Sequence, residues 1–501
     1  MSSLQRNIVA NLVGKFWSVA IVLILIPQYI HYLGIESYGL IGFYSTLIGS
    51  MAILDLGLST TLNRELARFR AESRPANDTR NLTFSLECVY WGIGLLISLI
   101  VVSLSGPIAE NWVNAEKLPS HVVRESVILM GIVIAFQWPI SLYSGGLTGL
   151  EKQVLNNTIN VIMSTLRAAG VLIVLIFFSR TLQAFFLWQA GVSLLYVLVM
   201  RWALWKEMPK HHQRPRFSKE QLKIIWRFAA GMTAIGVVTF LLMQVDKIIL
   251  SKLLSLSHFG YYTLGFSIAT SISMLTNPVS IAFFPRFTTL IYGNKQEELK
   301  LLYHQACKLM ASFIFPFCIV LFFFMHDILR IWTKDITTTE QTCDIARILL
   351  AGSMLNALMV MPYNLLIANG WTRFTIIQNS IAAIILIPLL FWLANKYGGV
   401  GAAYVWVLVN LGYVLISQPL MHRKLLKKEL FRWYWNDTLI PLLPPLLTVL
   451  AIKFSLEKFL PDFKLNLWAI GAIFLVAFSI TLFYMREGRV FLLQLFQKKS
   501  S

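Results

Sequence analysis

Charge is what this sequence has least of. Only 13% of its 501 residues are Asp, Glu, Lys or Arg, and the acids number 24 against 43 Lys and Arg. Soluble domains carry about 25% charged residues, so the scarcity excludes a chain made mainly of water-facing domains. Cysteine is scarce too. Cys88, Cys307, Cys318 and Cys343 show no C-x-x-C spacing, which argues against a metal knuckle or a dithiol centre and predicts small buried apolar residues. Also missing are a phosphate-binding glycine loop, H-E-x-x-H, G-x-S-x-G, and any cluster of carboxylates with His in an outer loop. Direct ATP hydrolysis and the common hydrolase chemistries are thereby disfavoured, and neither cofactor nor metal is expected. No loop exceeds roughly 25 residues, well short of a folded domain of 50–250. A grafted catalytic domain is not expected.

What is present is apolar. Hydrophobic residues make up 57% of the chain and the mean hydropathy is +0.66. They come in blocks about 20 long, the length that crosses a hydrocarbon core at 1.5 Å per helical residue. The pattern predicts an all-α polytopic membrane protein with about fourteen spans. The first seven lie near 8–30, 38–59, 83–105, 122–148, 155–178, 183–204 and 224–250. The rest lie near 259–284, 306–326, 344–368, 374–395, 400–421, 438–455 and 465–485. The run after Arg6 is too long for a signal peptide and lacks a small-residue cleavage site.

An even count places both termini on one side. Arg6, the cluster Arg64, Arg68, Arg70, Arg74 and Arg80, the loop Lys206–Lys223, the run Arg423–Lys428 and the tail after Arg486 all fall there. The positive-inside rule makes that side cytoplasmic. The net charge of +19 then follows from topology and anionic lipid, not from nucleic-acid binding. Asn81-Leu-Thr matches a glycosylation acceptor, but in a loop that faces the wrong compartment.

An internal repeat organises the chain. Tyr38-Gly39 matches Phe259-Gly260 at an offset of 221, Arg64 matches Arg286 at 222, and Pro139 with Asn156 matches Pro362 with Asn379 at 223. Six helices per unit is an even number, so the repeats run in parallel, an arrangement that usually encloses a central cavity. The expected domains are a six-helix lobe over 1–205, a basic linker over 206–223, a second six-helix lobe over 224–421, and a segment over 422–501 holding a linker, two further helices and a tail.

Ionisable groups within the bilayer are functional candidates by default. Arg167 is the deepest, and it shares a helical face with Asn157, Asn160 and Ser164. Similar polar stripes comprise Gln137, Ser141, Ser144 and Thr148 in the fourth span, and Thr263, Ser267, Thr270, Asn277 and Ser280 in the eighth. Each stripe either lines a water-filled path or glues packed helices together. Lys15, on a face with Asn11 and Ser18, is a further cationic candidate, and it is also able to snorkel to the surface. Asp246-Lys247 is an ion-coupling site or a structural pair. Asp55, Arg64, Glu87 and Arg227 sit near the cytoplasmic ends, where interfacial solvation is the ordinary account, and Asp55, Arg64 and Arg286 would mark a gate region. Prolines 139, 278, 285, 316, 362, 388 and 419 permit kinks.

The segment LGIESYGLIGFYSTLIGSMAILDLGLSTTLNRELAR, residues 33–68, and the run from Asp246-Lys247 to Phe259-Gly260-Tyr261-Tyr262 resemble polysaccharide exporters. These form the O-antigen flippase branch of the multidrug/oligosaccharidyl-lipid/polysaccharide (MOP) exporter superfamily. The resemblance covers both lobes. It implies an inner-membrane flippase that carries an undecaprenyl-pyrophosphate-linked oligosaccharide to the periplasmic leaflet by alternating access, with proton or sodium coupling left open. Lys15, Arg167 and Arg227 would then meet the pyrophosphate, and polysaccharide polymerase or ligase machinery would be a partner. The alternatives are a drug/cation antiporter of the same superfamily, a polytopic polymerase or ligase, and an assembly partner. Few deep acids argue against the antiporter, and short outer loops against the enzyme.

Overall fold

A computed structural model describes residues 3–51, 55, 57–72, 76–209, 213–223, 244–460 and 465–485. Among them the regular structure is helical, apart from one isolated bridge between Asn114 and Ser255. They fall into two compact units divided at Gly260/Tyr261.

The first unit contains α1 (Ser3–Leu33), α2 (Ile35–Met51), α3 (Leu58–Glu72), α4 (Ala76–Ser103), α5 (Ser120–Gln137), α6 (Ile140–Gly149), α7 (Gln153–Phe177) and α8 (Leu182–Glu207). The chain then enters α9 (Leu256–Thr270), within which the division falls, and continues as α10 (Ser273–Tyr292), α11 (Gln296–Phe323), α12 (Met325–Thr333), α13 (Ile336–Leu358) and α14 (Val360–Ala368). It ends with α15 (Thr372–Gly412), α16 (Gln418–Leu425), α17 (Ile440–Phe459) and α18 (Leu467–Tyr484). The order repeats: the broken pair α5–α6 before α7 has its counterpart in α13–α14 before α15.

Eleven stretches among the described residues are long and apolar enough to cross a bilayer. One runs continuously over Thr372–Leu425, but the chain reverses inside it. Gly398 adopts φ 58° and ψ −138°, and a Cβ on Gly401 would lie 2.1 Å from the carbonyl oxygen of Leu393, a residue about 12 Å away in an unbroken helix. That stretch therefore holds both spans expected over 374–421. The span expected over 224–250 lies largely outside the described residues. The one expected over 38–59 appears as α2 and the start of α3, parted near Gly57, whose φ is 65°.

Packing in the first unit rests on small residues. A Cβ at Gly145 or Gly149 of α6 would sit 2.5 and 2.4 Å from the backbone oxygens of Ser59 and Asn63 in α3. This glycine pair at i and i+4 is how membrane helices approach closely without a hydrophobic driving force. Along α1 and α7, Trp17 Nε1 donates to Thr165 Oγ1 at 2.7 Å and the Tyr29 hydroxyl to the Ala168 carbonyl at 2.8 Å. In the second unit Trp406 Nε1 of α15 donates to Ser353 Oγ of α13 at 3.1 Å, and Asn356 Nδ2 to Asn410 Oδ1 at 2.8 Å. Phe313 and Phe317 of α11 meet Phe478 and Phe474 of α18 at ring separations of 5.3 and 6.3 Å.

Of the four cysteines, Cys307, Cys318 and Cys343 are buried as expected and Cys88 is not. Cys88 lies on an apolar helix, so exposure in the chain need not mean contact with water. Outside the spans, Asp335 caps α13: the Thr338 side chain and backbone N–H hold its carboxyl below the ordinary range. This contribution is present above the unfolded value and is lost as pH falls through the folded one.

Gly149→Val places a branched side chain against the backbone of α3. The expected loss is about 1–3 kcal/mol, the usual cost of overpacking. Thermal unfolding in nanodiscs reads it as a lowered midpoint, with Gly92→Val, where no atom lies within 4 Å of an added Cβ, as the tolerated control.

Candidate functional site

Three polar layers occupy the first unit. The first centres on Arg167 of α7. Its Nε and Nη2 are buried without a hydrogen-bond partner, and its guanidinium carbon lies 5.7 Å from the centroid of the Tyr196 ring of α8. The Tyr196 hydroxyl donates to Asn160 Oδ1, about two turns before Arg167 on the same helix. Gln137 Nε2, at the end of α5, donates to the Tyr44 hydroxyl of α2 at 2.6 Å and to Ser193 Oγ of α8 at 3.3 Å. The charge of Arg167 reaches both phenols. Among the described residues Arg167 makes no ion pair, so a deep cation carries at least two unmatched nitrogens. An oxyanion accepting both would satisfy it, because a guanidinium presents paired donors in one plane.

The second layer is built on Asp55, at the break between α2 and α3. Its carboxylate accepts from Ser59 Oγ at 2.7 Å, from Ser141 Oγ at 3.2 Å, and from the Tyr90 hydroxyl. The glycine approach of α6 to α3 is what brings Ser141 to this carboxylate. The third layer is one turn away on α4. Glu87, 4% exposed, accepts from the Tyr143 hydroxyl at 2.7 Å and from Trp205 Nε1 at 3.1 Å, and pairs with the guanidinium of Arg201. Interfacial solvation therefore does not account for Asp55 or Glu87. Protein hydroxyls, indole and guanidinium take the place of water.

The remaining candidates are scattered. Asn157 donates to the Gln153 carbonyl of its own helix at 2.8 Å, and Ser164 to the Val161 carbonyl at 3.1 Å while accepting from Ser18 Oγ at 3.4 Å. Ser267 and Thr270 return their hydroxyls to the Thr263 and Phe266 carbonyls at 2.9 and 2.8 Å. Asn277 is exposed. Asp246 and Lys247 lie against each other, Oδ1 to Nζ at 3.3 Å. Arg64 pairs with Glu65 at 2.7 Å, and Arg286, exposed on α10, belongs to the other unit. Arg227 and the side chain of Lys15 lie outside the described residues. Sequence reasoning passed over Tyr44, Tyr90, Tyr143 and Tyr196, because an aromatic in an apolar span carries no mark of the polar atom it will meet, and over Arg201, which lies close to the end of its span before the basic loop.

The sequence matches the family described as polysaccharide biosynthesis protein over residues 4–291, more than half the chain. The chain belongs to that family. The MatE family matches over residues 233–392. A Shigella flexneri protein named as an O-antigen transporter is 23% identical over 408 residues, covering 81% of this chain and 94% of its own length. The lipopolysaccharide biosynthesis protein WzxC of Escherichia coli (strain K12) is 21% identical over 390 residues, covering 74% of each. In structure the chain is similar to the lipid II flippase MurJ in an inward closed conformation, with TM-score 0.66, 15% identity, and coverage of 94% of this chain and 97% of that one. An inward-facing multidrug resistance MATE family transporter of the MOP superfamily superposes with TM-score 0.65, 13% identity, and coverage of 82% and 95%. This family member thus has the all-α fold seen in MOP transporters, and the resemblance noted in the sequence holds.

Glu87→Gln leaves Arg201 without its carboxylate while the amide still meets Tyr143. The expected loss is about 1–3 kcal/mol, typical of an unmatched buried polar group and kept low because Arg201 is half exposed and screened. A double-mutant cycle with Arg201→Gln measures the coupling, which should be favourable and should shrink with added salt.

Proposed function

We propose that this protein is a flippase that moves a lipid-linked oligosaccharide, an O-antigen or other surface-polysaccharide repeat unit on undecaprenyl pyrophosphate, from the cytoplasmic to the periplasmic leaflet of the bacterial inner membrane. It is a transporter rather than a catalyst. The observation that carries the reading is Arg167: a cation within the span, two nitrogens without partners, and a phenol ring beside it. A guanidinium left unmatched in a bilayer costs several kcal/mol and is retained where an anion comes to meet it. A pyrophosphate is such an anion, and the sugar that follows it finds hydroxyl, amide and phenol groups in the adjoining layers. Family membership and the names of the two relatives support the same cargo. In this reading the termini are cytoplasmic, Lys15 and Arg227 add charge to the path, and movement follows alternating access, with ion coupling from Asp246–Lys247 or elsewhere. Polysaccharide polymerase or ligase enzymes receive the product.

Asp55 favours the runner-up, a cation antiporter, because it is an acid within a membrane protein that makes no ion pair among the described residues. Three hydroxyl donors already satisfy it, and this weakens that case.

Arg167→Ala is expected to lower surface polysaccharide at least tenfold in complemented deletion cells, the loss of about 1.4 kcal/mol or more of anion binding, at unchanged membrane abundance. Arg167→Lys should retain part of the activity. Normal polysaccharide from the Ala variant would refute the assignment, and a changed drug-resistance profile with normal polysaccharide would move the antiporter ahead.

A further inference from the structure

The second unit buries a histidine between two carboxylates. His304 of α11 is 1% exposed. Its Nδ1 is bonded to Asp437 Oδ2, and its Nε2 lies 3.0 Å from Glu429 Oε2. Asp437, also 1% exposed, sits in the π-helical turn Trp433–Leu439 that leads into α17. Such turns are frequent at functional positions, since the extra residue redirects a side chain. Glu429 begins the same segment. The trio therefore joins α11 to the start of the last helix pair.

Proton counting shows what the geometry needs. A neutral imidazole has one N–H and one lone pair. Flanked on both nitrogens by carboxylates, it completes both hydrogen bonds only when one further proton is present, either on the ring or on a carboxyl. Without it a lone pair faces an anion in a dry site, where the repulsion is poorly screened. Asp437 Oδ1 is buried with no hydrogen-bond partner, so the site is also short of donors. Other titratable and charged groups surround the trio. From α11 itself come Lys300, Tyr303, Cys307 and Lys308; the hydroxyl of Tyr303 accepts from Gln418 Nε2 at 3.0 Å, and Lys300 pairs with Glu297 at 2.6 Å. From α16 comes His422, whose Nδ1 meets the Gln418 carbonyl at 3.0 Å and whose Nε2 is unpartnered. From the segment before α17 comes Arg432, 3.6 Å from Glu429, and from α10 the uncharged Phe287 against Tyr303. The charges of Arg432 and Lys308 act on the carboxylates and favour their ionised forms. A metal is a poor occupant, because both ring nitrogens already face carboxylates.

We propose that His304, Asp437 and Glu429 form a proton-binding site whose occupancy fastens the last helix pair to α11. The clasp is complete with the proton bound and loosens as rising pH removes it. This does not depend on what the protein transports.

The test is the pH dependence of unfolding of the full chain in nanodiscs between about pH 5 and 8, the range in which imidazoles ordinarily titrate. For one proton the folded-to-unfolded ratio changes by at most tenfold per pH unit. The wild type should lose stability with rising pH. Asp437→Asn lets a neutral imidazole accept from the amide and donate to Glu429, so it needs no added proton. That variant should fold and lose the clasp's share of the slope, equalling or exceeding the wild type at the alkaline end. His304→Gln should flatten the same slope. Either variant folding with the wild-type slope intact overturns the proposal.

Discussion

Inside a hydrocarbon layer a polar group that water does not reach must find its partner within the protein, and the described structure follows from that constraint. Backbone groups meet it by forming helices, which is why the regular structure is helical. Where a helix breaks near Asp55 and between α5 and α6, side-chain hydroxyls meet freed carbonyls: Thr60 and Thr61 donate to the Gly57 carbonyl at 2.7 and 2.8 Å, and Ser141 to the Trp138 carbonyl at 3.1 Å. Such breaks are tolerated where protein surrounds them.

The same constraint explains the three polar layers of the first unit. Glu87 finds a phenol, an indole and a guanidinium, and Asp55 finds three hydroxyls. Both acids are tolerable because every donor comes from a helix already fixed by packing, and the glycine approach of α6 to α3 makes that packing close enough. Arg167 departs from these two, with two buried nitrogens that meet no partner among the described residues. Its phenol neighbour softens the cost without removing it, and the unmatched nitrogens remain as a standing demand for an anion. The second unit holds a different case, a histidine with one acceptor too many around it.

Much of this was legible beforehand. Apolar blocks of span length and the ordered matches at Tyr38-Gly39, Arg64 and Pro139 pointed to a repeated helical membrane protein, because length and periodicity are local properties of the chain. Arg167 was legible too, since an isolated Arg in an apolar run is conspicuous. The stripe in the eighth span was less informative: Ser267 and Thr270 turn their hydroxyls to their own helix, and a hydroxyl three or four residues from a carbonyl always has that option.

By itself, then, the amino-acid order determined the fold class and the family, because transfer of apolar side chains into lipid is additive along the chain and needs no knowledge of neighbours. Only the tertiary structure decided which polar groups meet. Whether Glu87 faces water or Arg201, whether His304 is alone or held between Asp437 and Glu429, and whether Arg167 has a counter-ion all depend on pairs separated by tens to more than a hundred residues. Such pairs form through packing, and the one-dimensional pattern carries no sign of them.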